Sequence, residues 1–329
     1  MPHKIAILLH DEFEAWRPPA WFLERLRTEF PDVPVAFSAG KRTDEDALRD
    51  ADIMIGWSLS PEQLRAAAGL RWIYSITAAI DQFLVPSVVS GRVEITNAGG
   101  VHGPVVAEHA LAMILALARR IPSAVRYQER RRWGLERIWE EHPRPREIAG
   151  AHLVIVGLGS IGSELAAMAA ALKMHVTGVR HDPEHGSAGA HEVAGFQQLD
   201  EALGRADFVV LALPLTPQTR RLIDARRLQL FKPDAYLINV SRGTLIDEAA
   251  LVAALRERRL GGAALDVFEE EPLPRRSKLW KLPQVLITPH VAFLTSKIWE
   301  RHYQAFSANL RRYLSGEPLQ DVVDKARGY

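Results

Sequence analysis

The sequence contains no cysteine among its 329 residues. Disulfide bonds, thiolate metal sites and cysteine nucleophiles are therefore excluded. An excess of charge of one sign is lacking too, since 41 lysines and arginines stand against 40 aspartates and glutamates, a net charge of +1. So small a net charge gives no general attraction for nucleic acid or anionic lipid, and we expect neither as a partner.

Long apolar runs are also scarce. The run at residues 5–9 is too short for the core of a signal peptide. The most apolar stretch, residues 105–118, carries Glu108 and His109 and is shorter than the roughly 20 apolar residues that span a bilayer. A chain without thiols fits a reducing compartment, although secretion is compatible with it. We therefore expect a soluble, cytoplasmic protein.

Short apolar runs alternate with amphipathic stretches along the chain, and its length suggests about two domains at ~150 residues each. The first part predicts strands at 5–9, 33–37, 52–56, 72–75 and 93–96, and helices at 18–30 and 61–68. The second part predicts strands at 152–156, 175–179, 207–213, 235–240, 263–266 and 285–288, and helices at 161–173 and 296–314. This alternation indicates βαβ units, so the fold class is α/β with parallel sheets.

Between these parts lies a stretch, residues 104–117, that predicts a helix with apolar side chains on nearly every side. Such a helix has to be buried on nearly every side. We interpret it as a connector that its own domain covers on one side and a second subunit on the other, which predicts a homodimer. The next segment, residues 126–147, mixes charges of both signs, as is typical of a solvated helix.

A glycine motif, Gly157-Leu-Gly159-Ser-Ile-Gly162, lies directly between a predicted strand and a predicted helix. In that context the first glycine makes a tight turn, the second lets the backbone approach a pyrophosphate, and the third lets helix and strand pack closely. The N–H groups of the first helical turn would then face the phosphates. The alternative is a tight turn that binds no ligand. The motif predicts a dinucleotide cofactor.

The end of the next strand bears on which dinucleotide is bound. An acidic residue there would bond the ribose hydroxyls of NAD, but the first acid is Asp182, and Arg180 and His181 precede it. A guanidinium can pair bidentately with the 2′-phosphate of NADP, which a carboxylate would repel. We therefore predict NADP as the preferred cofactor, with NAD as the alternative. The competing interpretation is a surface arginine at a strand end.

Four further motifs follow in a fixed order. They are Leu-Pro-Leu-Thr-Pro-Gln-Thr (213–219), Asn-Val-Ser-Arg-Gly-Thr (239–244), Ala-Ala-Leu-Asp-Val-Phe-Glu-Glu-Glu-Pro (263–272) and Ile-Thr-Pro-His (287–290). Together they resemble the D-isomer-specific 2-hydroxyacid dehydrogenases, including glyoxylate/hydroxypyruvate reductases, over about residues 97–292 and more faintly before. The resemblance implies two Rossmann-like or flavodoxin-like domains with a cleft between them and a homodimer.

The resemblance also implies roles for particular residues. Arg242 would hold the substrate carboxylate and carbonyl, His290 would move the proton, and Glu271 would hydrogen-bond His290. Asp266 resembles the residue that contacts the nicotinamide carboxamide. The remaining cofactor contacts that the resemblance implies are Ser160, Ile161, Leu213, Pro214, Thr219 and Val240.

The chemistry requires these residue types independently. A 2-keto acid carries an anion beside its carbonyl, which a guanidinium can clamp. Hydride transfer to the carbonyl carbon builds negative charge on oxygen, which a protonated imidazole can neutralise. A carboxylate beside the imidazole favours its charged form. The alternatives are a loop arginine at Arg242, a core histidine at His290, and a solvated turn for the acidic run that ends in Glu271.

Two segments depart from the family's pattern. The loop after the fourth strand, residues 75–81, has Thr77 and Ala79 where glycines are usual, and we expect the N–H groups of Thr77, Ala78 and Ala79 to bind the substrate carboxylate. After His290, Phe293 stands where a small residue is usual, so it either narrows the pocket or packs.

Two other histidines, and the question whether the chain binds a metal, are interpreted separately. His109 is interpreted as a buried or interfacial structural group, and His102 as a candidate for the border of the cleft. No His/Asp/Glu spacing suggests a metal, and none is predicted.

The sequence therefore predicts an NAD(P)-dependent D-2-hydroxyacid dehydrogenase that acts on a small 2-keto or 2-hydroxy acid. The predicted substrate domain is 1–99 plus 290–329, and the predicted dinucleotide-binding domain is 100–289. Two alternatives stay open. One is a formate- or phosphite-type dehydrogenase of the same family, and the other is a cofactor-sensing binding protein resembling the family's corepressors, against which the lack of long disordered flanks argues.

Overall fold

The computed structural model describes residues 3–9, 13–38, 40, 44–184 and 186–328. The chain divides into two compact units. Unit 1 consists of Met1–His102 and Leu294–Tyr329, and unit 2 consists of Gly103–Phe293. These junctions lie a few residues beyond those that we predicted.

Unit 1 is built on a parallel sheet with the strand order β2-β1-β3-β4-β5 among the described residues. Its strands are β1 (Ile5–Ile7), β2 (Val35–Phe37), β3 (Ile53–Gly56), β4 (Trp72–Ser75) and β5 (Glu94–Thr96). β1, β3 and β4 are buried along their whole length, which is why they read as continuous apolar runs. Some predicted strands were one or two residues longer than the observed ones.

Helices cover the sheet of unit 1. They are α1 (Ala20–Glu29), α2 (Asp44–Leu48), α3 (Pro61–Ala66), α4 (Pro86–Val89) and α12 (Ile298–Leu314). The C-terminal helix, α12, packs its apolar face on the sheet: the ring of Phe306 stacks on Trp72 with 5.1 Å between centroids, and Tyr303 contacts Phe22 edge to face. The short helices α2 and α4 were not predicted, because four or five residues carry too little periodicity to read.

Unit 2 contains a larger parallel sheet, with the order β12-β11-β10-β9-β6-β7-β8 among the described residues. Its strands are β6 (His152–Val156), β7 (His175–Val179), β8 (Glu192–Ala194), β9 (Phe208–Leu211), β10 (Tyr236–Asn239), β11 (Gly262–Leu265) and β12 (Val285–Ile287). β8 was not predicted, since three residues of an edge strand give no alternating pattern.

The helices of unit 2 lie on both faces of this sheet. They are α5 (Gly99–Ala118, which begins before the junction), α6 (Ile121–Glu129), α7 (Leu135–Glu140), α8 (Ser160–Ala171), α9 (Leu199–Arg205), α10 (Ala225–Leu228) and α11 (Glu248–Arg256). The charged segment 126–147 was predicted as one helix. In the structure it holds the end of α6 and the separate helix α7, because the chain turns between them.

Helix α5 is long and apolar enough, by length and composition alone, to cross a membrane. However, Val106, Ala110 and Ile114 pack into the core of unit 2, as in a core helix of a globular domain. Glu108 and Leu115 are exposed on another side of the same helix. The expectation that its own domain covers only part of this helix is met.

Candidate active site

The residues predicted to bind the nucleotide follow the carboxyl ends of neighbouring strands in unit 2. Gly157 follows β6, Leu213 lies two residues beyond β9, and Val240 follows β10. β6 lies between β7 and β9, so the chain runs outward to β7 and β8 and then returns past β6 to β9. Open α/β sheets bind ligands at such a change in strand order.

The glycine turn after β6 has the close contacts that its residues predict. Gly157 has a φ of +103°, and a Cβ atom there would lie 2.3 Å from the carbonyl oxygen of Ala212. At Gly162 a Cβ atom would lie 1.9 Å from the carbonyl oxygen of Gly157. At Gly159, which caps α8, a Cβ atom would meet no described atom within 4 Å. The open backbone at the start of a helix fits a pyrophosphate.

Other predicted cofactor contacts surround this turn in the sequence and the sheet. Ser160 and Ile161 are the first residues of α8. The Thr219 hydroxyl donates a hydrogen bond to the carbonyl oxygen of Pro214 at 2.8 Å and so closes the loop after β9. Leu213 is buried beside Gly157, where a Cβ atom on the glycine would lie 2.9 Å from that of the leucine. These contacts fix the backbone of the glycine turn after β6 and of the loop after β9, which both belong to the predicted nucleotide site.

Arg180 and His181 directly follow β7, the second strand of the βαβ unit. The Arg180 N–H donates to the carbonyl oxygen of Ala194 on the neighbouring strand at 3.0 Å. The Arg180 side chain is partly exposed, and His181 is exposed. This strand end is the position that distinguishes NAD from NADP in such units.

Arg242 lies in a turn after β10 that other groups hold in place. The Asn239 side chain donates to the carbonyl oxygen of Arg242 at 2.8 Å, and the guanidinium donates to the Ser241 carbonyl oxygen at 3.0 Å. Gly243 follows, and a Cβ atom there would lie 1.9 Å from the carbonyl carbon of Phe268. Only glycine lets these backbones pass so closely, which explains the glycine that follows Arg242.

Glu271 and His290 form a pair, as predicted from the sequence. His290 Nδ1 lies 2.7 Å from Glu271 Oε2, and Glu271 Oε1 accepts a hydrogen bond from the Phe268 N–H at 2.9 Å. Burial alone would raise the pKa of Glu271, but the hydrogen bonds from His290 and Phe268 and the charge of Arg242 lower it overall. The carboxylate is therefore ionised, and it orients the imidazole.

His290 itself has a left-handed backbone, with a φ of +54°. Its N–H donates to the carbonyl oxygen of Asp266 at 2.8 Å. Residues other than glycine adopt this conformation uncommonly, although histidine does so more often than most, and holding one there costs free energy. Phe293 packs partly buried against the core of unit 2, and its ring lies 6.3 Å from that of His290.

The Asp266 side chain, predicted to contact nicotinamide, is fully buried and holds the loop around His290. One carboxylate oxygen accepts from the Thr288 hydroxyl at 2.5 Å and the Val291 N–H at 2.9 Å. The other accepts from the Ala292 N–H at 3.0 Å. A carboxylate with several donors fixes a backbone strongly, since hydrogen bonds to charged groups are the stronger kind.

Thr288 and His109 also belong to this network, although the sequence did not predict their contacts with Asp266. His109 Nε2 of α5 lies 3.1 Å from the Thr288 hydroxyl and 3.7 Å from Asp266 Oδ1. The one available signal was a polar residue on an otherwise apolar helix. The prediction of a structural role for His109 fits this contact.

In unit 1, the loop after β4 has its carbonyl groups held on one side. The carbonyl oxygens of Thr77 and Ala78 accept from the Ala98 N–H at 3.2 Å and the Asn97 side chain at 2.8 Å. The Thr77 hydroxyl donates to the carbonyl oxygen of Ala79 at 2.6 Å. In a planar trans peptide the N–H points away from the carbonyl, so the N–H groups of Ala78 and Ala79 point to the opposite side.

His102 lies beneath the same loop and not on an open surface. It is 4 % exposed, and its Nε2 lies 2.9 Å from the carbonyl oxygen of Ile76. Its ring lies 5.6 Å from that of His302, which is 1 % exposed and whose Nδ1 lies 3.0 Å from the Tyr74 hydroxyl. Burial lowers the pKa of His102 and lowers that of His302 well below its usual value.

The profile of the D-isomer specific 2-hydroxyacid dehydrogenase NAD-binding domain matches residues 111–292. The chain belongs to this family. Unit 2 therefore contains the family's NAD-binding domain, and the reaction class is hydride transfer between NAD(P)(H) and a 2-hydroxy or 2-keto acid. The fold class and the resemblance predicted from the sequence are confirmed.

Curated relatives of this dehydrogenase differ in length. The chain is 32% identical to a glyoxylate reductase of Pyrococcus furiosus over 97% of its own length and 91% of the relative. It is also 32% identical to a D-3-phosphoglycerate dehydrogenase of Methanocaldococcus jannaschii, over 91% of its own length, but it spans only 57% of that relative.

Among solved structures, this dehydrogenase is similar to the NADPH-dependent glyoxylate/hydroxypyruvate reductase of Sinorhizobium meliloti in complex with NADP and sulfate. The two share 28% sequence identity with a TM-score of 0.83, and the match covers 99% of this chain and 100% of the other.

Proposed function

We propose that this dehydrogenase is a 2-keto acid reductase that prefers NADPH. The observation that carries the proposal is the His290–Glu271 pair, 2.7 Å apart, with the charge of Arg242 acting on the same carboxylate. A proton donor beside a cation is what a substrate with a carboxylate next to a carbonyl requires. The relatives named glyoxylate reductase and glyoxylate/hydroxypyruvate reductase support small 2-keto acids as substrates.

In the proposed reaction Arg242 binds the substrate carboxylate and carbonyl oxygen, and His290 donates the proton. Because His290 Nδ1 is held by Glu271, Nε2 is the nitrogen that delivers the proton to the oxygen. The Glu271 carboxylate stabilises the imidazolium before the transfer. The bound nicotinamide supplies the hydride. In the oxidative direction His290 would accept the proton instead.

Unit 1 would act as the substrate domain through the loop after β4. The carbonyl oxygens of Thr77 and Ala78 accept hydrogen bonds from Ala98 and Asn97, and the N–H groups of Ala78 and Ala79 point the opposite way. These two N–H groups can therefore donate to a substrate carboxylate. Side chains at Thr77 and Ala79 do not prevent this, because the backbone supplies the donors. The Thr77 N–H, which was also predicted to bind the carboxylate, donates instead to the Ser75 hydroxyl at 3.3 Å, so the proposal keeps the N–H groups of Ala78 and Ala79.

The preference for NADPH would come from Arg180, with His181 as a further donor. Both follow the strand whose end meets the adenosine ribose in this fold, and Asp182, the first acid, comes two residues after Arg180. The similar reductase of Sinorhizobium meliloti is named as NADPH-dependent. NAD remains the alternative cofactor.

We also infer a homodimer that buries one side of α5 together with α6 and α7. Leu115 is 37%, Ile121 51%, Leu135 67% and Trp133 93% exposed, although all four are large and apolar. Apolar side chains exposed in one stretch of chain are typical of an interface between subunits. The cytoplasmic location stays a prediction, which cell fractionation would check.

The test is oxidation of NADPH and of NADH with a panel of 2-keto acids that includes glyoxylate and hydroxypyruvate. We expect turnover with at least one keto acid, faster with NADPH, and its loss in the His290→Ala variant. Turnover of formate or phosphite in the opposite direction would favour the dehydrogenase alternative. Tight cofactor binding without turnover of any substrate would favour a cofactor sensor and contradict the proposal.

A further inference from the structure

Three neighbouring strands of unit 2 begin with residues that can bind a metal. His152, His175 and Glu192 are the first residues of β6, β7 and β8. His152 pairs with His175 across the strands, and Glu192 pairs with Thr177. Paired residues, and residues two apart on a strand, share a face of the sheet, so all these side chains lie on one face at its amino edge. We call His152, His175 and Glu192 the strand-start cluster.

The strand-start cluster brings its polar atoms together. One nitrogen or oxygen from each of its three members lies within 4.8 Å of the others. His175 Nε2 is 3.2 Å from Glu192 Oε1, and His152 Nε2 is 2.8 Å from the Thr177 hydroxyl, which donates to Glu192 Oε2 at 3.2 Å. The two imidazole rings are 5.0 Å apart. The three groups therefore converge on one small volume at the surface.

We propose that the strand-start cluster binds a divalent transition-metal ion of the zinc class. His152 and His175 would supply imidazole nitrogens, Glu192 would supply one carboxylate oxygen, and water would complete the coordination. Two imidazoles and a carboxylate are a donor set that Zn²⁺ takes in proteins. Mg²⁺ and Ca²⁺ prefer oxygen ligands, so we expect them to bind weakly here.

Binding requires a small contraction that these side chains can make. Ligand atoms at about 2.1 Å from a tetrahedral zinc ion lie about 3.4 Å from one another. The present separations are all within 4.8 Å, so none has to shorten by more than about 1.4 Å for that geometry. His175 and Glu192 side chains are each 46% exposed, so both can rotate, and an ion can reach them from solvent.

Neighbouring groups hold the carboxylate in a suitable orientation. Glu192 Oε2 accepts hydrogen bonds from the Thr177 hydroxyl and from the Arg205 guanidinium at 3.4 Å, which turns Oε1 toward His175. Ligating carboxylates usually have such outer hydrogen bonds. The charge of Arg205 opposes a nearby cation, so we expect a moderate affinity and not that of a structural zinc site.

The proposed site lies at the other end of β6 from the nucleotide turn. From His152 to Gly157 the chain makes five steps of about 3.3 Å, or roughly 16 Å along the strand. A metal there would not touch the cofactor. It would join β6, β7 and β8, and because it binds only the folded sheet, it would stabilise unit 2 by mass action.

The experiment uses the full-length protein without a histidine tag, stripped with a chelator. Co²⁺ is titrated while its visible absorption is recorded, and Zn²⁺ binding is measured by calorimetry and by the thermal midpoint. We expect one bound ion per chain and a higher midpoint with Zn²⁺. His175→Gln and Glu192→Gln should each weaken binding by about 10-fold or more, since even outer partners of ligands change affinity by about 10- to 100-fold.

The matched control is His142→Gln, an exposed histidine outside the strands, which should bind like the wild type. His175→Gln and Glu192→Gln alter half-exposed side chains, and circular dichroism checks that both remain folded. Equal binding by the wild type and both cluster variants would overturn the proposal. So would the absence of binding to the wild type at millimolar Zn²⁺.

Discussion

Acid should destabilise unit 1 through the buried histidine pair His102 and His302. Burial lowers the pKa of both. At His102 the hydrogen bond to the Ile76 carbonyl opposes this shift and the charge of Arg301 adds to it, and at His302 a proton on His102 would lower the pKa further. Among the residues that the structure describes, the His302 ring hydrogen-bonds only to the Tyr74 hydroxyl. In the unfolded chain both imidazoles would have an ordinary pKa near 6.5.

The direction and size of the effect follow from proton binding. Below about pH 6.5 the unfolded chain binds protons that the folded chain does not, so stability falls as the pH falls and continues to fall until the folded pKa is reached. The folded pKa of His302 is well below its usual value. At pH 5.5 the loss of unfolding free energy from this histidine alone has an upper limit of about 1.4 kcal/mol, reached when the folded form takes up no proton, and His102 should add to the loss.

Urea unfolding followed by tryptophan fluorescence can measure this loss. Five of the eight tryptophans, at positions 16, 21, 57, 72 and 299, belong to unit 1, so the signal reports mainly on that unit. His302→Gln keeps a hydrogen-bonding group toward Tyr74 but cannot titrate. It should start less stable than the wild type, and between pH 7.5 and pH 5.5 it should lose less unfolding free energy than the wild type, by up to about 1.4 kcal/mol. His142→Gln, at an exposed position, should follow the wild type. If His302→Gln lost as much stability as the wild type, the histidine would not be the acid-sensitive group.

Four other outcomes are expected. His290→Ala should lower kcat by roughly 10²- to 10⁴-fold and leave the Kd for NADPH nearly unchanged, which stopped-flow kinetics and fluorescence titration would check. Gly243→Ala places a Cβ atom 1.9 Å from a backbone carbon, so it should destabilise unit 2 by about 1–3 kcal/mol and lower kcat, whereas unchanged melting would contradict the packing argument. Arg180→Asp should move the ratio of kcat/KM for NADPH over NADH toward NADH by roughly 10- to 150-fold, and an unchanged ratio would mean that this side chain does not reach the 2′-phosphate. Light scattering should give about twice the chain mass of 36.7 kDa for the wild type and a larger monomer fraction for Trp133→Glu; a wild-type monomer would refute the dimer.

Much of unit 2 could be predicted because its signals are local. The turn at Gly157 and Gly162 needs glycine for contacts within a few residues and with one neighbouring strand, and that need is visible in the sequence. His290 and Glu271 were predicted because the family's motifs carry them. Their contact within 2.7 Å is then a property of the fold.

What could not be predicted depends on contacts between distant segments. The Asp266 carboxylate was assigned to the cofactor, yet it also holds the backbone after His290, which depends on how β11 and β12 lie side by side. The strand-start cluster was missed because His152 and Glu192 are 40 positions apart, and only the parallel register brings them together. No spacing rule for metal ligands covers such a separation.

Because of its left-handed backbone, His290 favours turnover at the expense of stability. A residue other than glycine held in that region costs of order 1–3 kcal/mol, and the network around Asp266 has to supply it. Glycine adopts this conformation without that cost, so His290→Gly would relieve the strain while removing the proton donor. Selection for heat resistance alone would therefore favour inactive enzyme at this position, and a programme to stabilise this dehydrogenase has to hold residue 290 fixed.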